Sequence, residues 1–362
     1  MATGDQLRYV AFYLPQFHPI PENDEWWGTG FTEWRNVARA DPLFRGHQQP
    51  HIPGDLGFYD LRLPETRVAQ AALAAQYGID AFCYFHYWFE GHRLLEKPFD
   101  DVLRSGDPQH PFLLCWANEN WTRVWDGKSA EMLLEQSYSH EDDLSHVRAL
   151  AETFADPRYL RIDGRPVFLV YRPLHFAEPA RFAETWRAEA ARLGVGDLYL
   201  CGVNGGRDQA IDPVALGLDA VVAFAPFYGL ATRKRGSRPW RAARRLVRPD
   251  GLYRRNRMYE YATVAADNLA VPAPDHKLFP CVSPGFDNSP RRTNGGATII
   301  TGSSPDAYEH WLREVTRRFE PYSPEENLVF VNAWNEWAEG NHLEPSRANG
   351  HEYLEAHRRA RA

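Results

Sequence analysis

Eight short runs rich in aromatic and β-branched residues recur along this chain, at 9–17, 80–89, 112–121, 166–172, 198–204, 220–227, 278–287 and 328–337. Each is nearly continuous in apolar character, as expected of parallel strands buried on both faces. Helical stretches separate them. The segment from Pro64 to Tyr77 closes at Gly78, that from Phe176 to Leu193 closes at Gly194, and Ser304-Pro305-Asp306 supplies a cap and first-turn proline for 307–319. Eight strand-helix units predict a single (β/α)8 barrel spanning residues 1–362. A barrel of this kind builds its active site on the loops after the strand C-termini.

That rule sorts the polar residues. The predicted strand ends carry Gln16 and His18; His86, Tyr87 and Trp88; Asn118, Glu119, Asn120 and Trp121; Tyr171 and Arg172; Asn204; Tyr228; Asp287 and Asn288; and Trp334, Asn335 and Glu336. A long loop at 19–61 follows the first strand and holds Trp26, Trp27 and Trp34, which are expected to fold over the barrel mouth. The last strand runs into Trp334-Asn335-Glu336-Trp337-Ala338-Glu339. Two carboxyl groups three residues apart, among indoles and amides, suit glycosidic cleavage: one acid protonates the leaving oxygen and a second carboxylate acts as base or nucleophile. In a helical turn such a pair has Cβ atoms ~5–6 Å apart. The expected substrate contacts are His18, Trp34, His86, Tyr87, Trp88, Asn118, Glu119, Trp121, Tyr171, Asn204, Tyr228, Trp334 and Asn335, around Glu336 and Glu339 as the catalytic pair.

Charge and cysteine usage narrow the alternatives. The net charge is −7, so nucleic acid is not an expected partner. Between Arg233 and Arg257, however, eleven Arg or Lys stand against Asp250 alone, which leaves the remainder at −17. This run is expected after the sixth strand, where it could meet an anionic glycan, a lipid-linked phosphate or a membrane surface. Cys83, Cys115, Cys201 and Cys281 lack C-x-x-C spacing and fall in different strands, as expected of buried thiols in a reducing compartment. Residues 1–7 show no secretory pattern and no apolar run reaches ~20 residues, which points to a cytoplasmic protein. Pro50 separates His47 from His51, against a helical metal pair, and no metal or cofactor is expected.

Several strings carry a family resemblance: Phe31-Thr32-Glu33-Trp34, His47-Gln48-Gln49-Pro50-His51, Asp55-Leu56-Gly57-Phe58-Tyr59-Asp60, Tyr84-Phe85-His86-Tyr87-Trp88-Phe89, Leu95-Glu96-Lys97-Pro98 and Cys115-Trp116-Ala117-Asn118-Glu119-Asn120-Trp121. Together they resemble the WbsX-like family of bacterial surface-polysaccharide loci, commonly labelled glycosyltransferases. The final motif is similar to the Asn-Glu-Trp-x-Glu-Gly string of family-99 glycoside hydrolases, the endo-α-mannosidases. That resemblance implies Glu336 as general base, Glu339 as general acid and Asn335 as a sugar contact. It also implies a retaining route in which the base deprotonates the substrate's own 2-hydroxyl to give a 1,2-anhydro intermediate. Ala338 departs from the pattern, since those hydrolases usually carry His there. A retaining hydrolase acting on an oligo- or polysaccharide is therefore the expected activity, with a surface-polysaccharide glycosyltransferase as the alternative. Against the transferase, no two aspartates are two apart, and Gly28-Thr29-Gly30 lies outside a strand-helix turn. A non-catalytic glycan-binding module would need the aromatic rim but not both glutamates.

Overall fold

The computed structural model describes residues 7–122, 131–205, 211–232, 255–292 and 295–361. Its main sheet is a parallel barrel. In chain order the strands are β1 (Arg8–Tyr13), β2 (Ala81–Phe89), β3 (Phe112–Trp116), β4 (Arg165–Val170), β5 (Tyr199–Asn204), β6 (Ala220–Ala223), β7 (Leu278–Phe279), β8 (Cys281–Val282) and β9 (Leu328–Val331). β7 and β8 are two pieces of the seventh barrel strand, interrupted at Pro280, which has no N–H to give to a ladder. Its carbonyl still accepts from the Phe330 N–H at 2.8 Å. Val222 registers with Phe279 on one side, and Cys281 with Phe330 on the other. Phe330 in turn registers with Val10, and the barrel closes.

The expected eight-stranded α/β barrel is therefore the fold. Strand interiors are buried on both faces, and all four cysteines are buried free thiols on β2, β3, β5 and β8. Helices cover the outside, among them Pro64–Gln76, His140–Ala155, Pro179–Arg192 and Pro305–Arg318. The expected cap on the last of these is present, with Ser304 Oγ accepting from the Ala307 N–H at 3.2 Å. Gly78 and Gly194 follow their helices at φ of 86° and 79°, a left-handed turn that a side chain would oppose. Inside the barrel, Phe12 contacts Phe85, Phe224 and Phe330 with ring centroids 5.1–5.6 Å apart. Phe85 and Phe224 also face the mouth, so this aromatic layer is the floor on which the site rests.

Two sequence expectations change in detail. The last strand ends at Val331 rather than Trp337, because Asn335–Glu336 turns back as a separate two-residue strand against Asn341–His342. The long 19–61 segment is partly helical, at Pro21–Trp27 and Glu33–Ala38. Of the basic run, 233–254 lies outside the described residues, including Arg244, Arg245 and Arg248. Among the described residues no helix is long and apolar enough to cross a membrane.

Candidate active site

A cleft of about 750 Å³ opens at the C-terminal end of the barrel strands, the face where barrel enzymes place their chemistry. Glu336 and Glu339 line it. Their segment is anchored from β1: Asn335 Oδ1 accepts from the Leu14 N–H at 2.7 Å while its Nδ2 donates to the Leu14 carbonyl at 3.0 Å. After Glu336 the chain makes a single 3-10 turn at Trp337–Glu339 and leaves it through Gly340 at φ 55°. A Cβ at Gly340 would lie 3.3 Å from Asp287 Cβ and from His51 Nε2, so this tight exit suits glycine.

Both glutamates meet one guanidinium. Arg291 donates from NH2 to Glu336 Oε2 at 2.8 Å and from NH1 to Glu339 Oε1 at 2.7 Å. Its Nε donates to a third carboxylate, Glu33 Oε1, at 2.7 Å. Arg291 reaches this point from the turn Ser289–Arg291, which Asp287 organises by accepting from the Ser289 N–H at 2.9 Å. Asp287 Oδ2 is held in turn by His47 Nε2 at 2.6 Å and Gln49 Nε2 at 2.7 Å. His47 Nδ1 accepts from the Leu43 N–H at 3.0 Å, so its proton sits on Nε2 and is donated to Asp287. The His47–His51 string thus ties a loop by hydrogen bonds. Among the described residues, no group of three or more His, Cys, Asp or Glu could hold a metal ion.

Burial raises the carboxyl groups of Glu336 and Glu339 above the ordinary range, while Arg291 pulls both back. Glu336, raised to about 8, has the more buried side chain, 8% exposed against 21% for Glu339. Three carboxyl groups around one cation carry more negative charge than it can offset. A proton held by the pair relieves the excess.

Of the residues expected at the site, Tyr87, Glu119, Trp121 and Tyr171 line the cleft with the glutamates, as do Gln16, Asn120, Arg172 and Asn288 from the rim. Trp27 forms part of its wall, and Trp26 packs edge-on against Trp121 at 5.3 Å. The other expected contacts do not line it. Trp34 is buried, donates to the Tyr59 carbonyl at 2.7 Å and packs on Phe17, so it is core and not a closing lid. His86 faces His146, with their Nε2 atoms 2.8 Å apart, and burial pushes it down to about 3. Trp88 stacks on the same His146 and donates to Asp142 at 2.8 Å. Asn118 braces the Arg172 backbone, Trp334 packs on Phe82, and Asn335 is taken up by Leu14. Burial pushes His18 down to about 4, the backbone of Asn204 receives the Phe224 N–H, and Tyr228 is half-buried in the helix Phe227–Thr232. A strand-end position fixes a residue's height in the barrel but not whether it points inward or toward the helices.

Arg291 and Arg292 line the cleft and were not singled out by the sequence, and Glu33 stood only as a letter in a motif. The available signal was weak: an Arg pair shortly after the seventh strand.

Comparison with known proteins accounts for the whole barrel. The family described as Glycosyltransferase WbsX matches residues 9–357. Proteins from two strains of Xanthomonas campestris pv. campestris, both named Uncharacterized protein WxcX, are 46% identical over 352 residues, covering 97% of this chain. The chain spans about half the length of these curated relatives, 49%. Among solved structures, a "Glycoside hydrolase-like protein" aligns with a TM-score of 0.60 at 15% identity, over 99% of this chain and 95% of its own. The GH99 endo-alpha-mannosidase from Bacteroides thetaiotaomicron aligns with a TM-score of 0.55 at 14% identity, over 98% and 96%. These likenesses establish the shared fold. The chain belongs to the WbsX family.

Proposed function

We propose that this WbsX family member is a retaining glycoside hydrolase that cuts an α-mannoside-like linkage within a bacterial polysaccharide. The observation that carries the reading is the fixing of Glu336 and Glu339 side by side on Arg291 at the wall of the cleft. In the proposed reaction Glu336 takes the proton of the substrate's 2-hydroxyl, and that oxygen attacks the anomeric carbon. The bond to the leaving oxygen breaks as Glu339 supplies its proton. Water then opens the 1,2-anhydro ring with the two proton transfers reversed, giving net retention. Tyr87, Trp121 and Tyr171 offer flat apolar surface for sugar faces.

Burial raises both carboxyl groups, the direction that favours a protonated acid. The rise is common to both members, so the division of roles rests on the motif. A substrate that covers the more open Glu339 would raise it relative to Glu336 by the same desolvation.

One observation favours transfer as a second reading. Arg172, Arg291 and Arg292 line the same cleft, and guanidinium groups are well suited to a phosphate leaving group. The discriminating experiment incubates the protein with surface polysaccharide and, separately, with sugar nucleotides and an acceptor. Released oligosaccharides of retained configuration support hydrolysis. Acceptor-dependent nucleotide release, without oligosaccharide release, replaces it with transfer.

A further inference from the structure

A guanidinium beside a general acid creates a conflict. It orients the carboxyl group well, but its charge favours the ionised form and so strips the proton that the acid must hold. At this site the conflict is sharp, because Arg291 reaches both Glu336 and Glu339 through separate nitrogens.

Glu33 occupies the remaining side of that guanidinium. It comes from the far end of the chain in sequence, on the helix Glu33–Ala38 in the long segment after β1, and its side chain is 0% exposed. Its Oε1 accepts from Arg291 Nε at 2.7 Å and from Asn36 Nδ2 at 3.3 Å. Its Oε2 is buried with no hydrogen-bond partner. Glu33 does not line the cleft, so it is out of reach of substrate. A glutamine could accept from Nε equally well without burying a half-satisfied carboxylate. What the carboxylate adds is its charge.

We infer that Glu33 is a charge-cancelling positioning residue: it neutralises Arg291, which can then align Glu336 and Glu339 without acidifying them. The inference rests on the proposed hydrolytic roles of that pair. With Glu33 and Arg291 cancelling, the pair behaves as two carboxyl groups around a neutral hydrogen-bond donor. One can hold a proton while the other stays ionised, and the proton can pass between roles during the cycle without changing the net charge of the cluster. Other groups acting on the pair are Tyr87 on Glu336, Tyr171 near Glu339, and Arg292, which opposes a proton on Glu339. Glu33 itself acts to raise both members.

The test compares the wild type with Glu33→Gln, Arg291→Gln and the double variant. Removing the Glu33 charge leaves Arg291 uncompensated, so both limbs of the pH-rate profile should move to lower pH by ~1 unit or more. Removing only Arg291 should move them upward. The double variant should bring the limbs back near the wild-type pH while turnover stays low, because charge balance returns and alignment does not. A purely structural Glu33 would lower turnover with the limbs in place, and that result overturns the inference.

A second readout needs no substrate. Infrared difference spectra, assigned with Glu336→Gln and Glu339→Gln, should show a protonated carboxyl at neutral pH in the wild type that fades in Glu33→Gln and returns in the double variant. An unchanged band in Glu33→Gln overturns the inference whatever the activity. The double variant removes both charges together, so it gives the band and the limbs even where a single variant fails to fold. If Glu336→Gln and Glu339→Gln keep full turnover while the band still responds to Glu33, the hydrolytic reading fails and the charge cancellation stands.

Discussion

Two buried carboxyl sites lie on the same short stretch of chain, and they are built from opposite materials. Glu336 and Glu339 share a cation and open onto the cleft. Glu344 is met by neutral donors: Tyr59 Oη at 2.8 Å, Gln70 Nε2 at 2.6 Å and Trp337 Nε1 at 2.6 Å. Burial raises all three, Glu344 to about 7, where its donors pull it back only in part. A raised carboxyl group alone therefore does not mark chemistry. Glu344 is held by side chains from the long segment after β1, the helix Pro64–Gln76 and the 337 turn, and it does not line the cleft. The pair on Arg291 keeps a face toward the cleft.

The largest separation between the two sites should appear in turnover. Glu336→Gln and Glu339→Gln each keep size and lose proton transfer, a step worth ~10²–10⁴-fold. Glu344→Gln should leave the rate per folded molecule near that of the wild type. Turnover on the released-oligosaccharide assay, with circular dichroism as the folding control, decides it. Equal losses at all three positions would erase the distinction.

Stability should divide the sites next. Arg291→Met strands three carboxyl groups without their cation, and breaking a buried ion pair on one side costs about 3–5 kcal/mol. Chemical denaturation measures this directly. A loss smaller than that of Glu344→Gln would mean that the cluster is better hydrated than its burial implies.

Sequence reading reached the two sites unequally for the same physical reason. The barrel was legible because strands buried on both faces write their burial locally, run by run. The carboxyl pair was legible because its members are three residues apart. Arg291 was not, since its partners lie 45, 48 and 258 residues away and nothing local separates it from Arg292. Glu344 escaped notice likewise, with Gln70 and Tyr59 distant by 274 and 285 residues. Trp34, His86 and Trp88 show the converse failure: their types and their places, the long loop for Trp34 and a strand end for His86 and Trp88, fit a sugar site, but their side chains point into packing.

The third difference lies in pH. Glu344→Gln preserves shape but puts an amide where hydrogen bonds were arranged for a carboxyl group, at a cost of about 1–3 kcal/mol. Glu344 has its folded value raised from the ordinary 4.5 to about 7, so the folded state binds the extra proton. Its contribution to stability is fully present below about 4.5, declines as pH rises, and is gone above about 7. The gap between the wild type and Glu344→Gln should therefore be widest in acid and narrow through neutrality. A gap that widens instead toward alkaline pH would show that Glu344 is held ionised.

The smallest effect tests the neutral donors one at a time. Tyr59 is the residue to remove, because its hydroxyl both donates to Glu344 and accepts from Asn335 Nδ2 at 3.3 Å, so it joins the neutral site to the segment that aims Glu336. Tyr59→Phe deletes one oxygen and leaves the ring against Phe17 and Trp34. The expected loss is about 0.5–1.5 kcal/mol, the ordinary net value of a hydrogen bond. Asn335 keeps both bonds to Leu14, so the aim of Glu336 should survive and turnover should fall by less than in either glutamine variant of the pair. With one donor gone, Glu344 should titrate higher still, which moves the end of its stability window to more alkaline pH. If Tyr59→Phe instead abolishes turnover at unchanged stability, the two sites are a single functional unit and the hydroxyl belongs to the reaction.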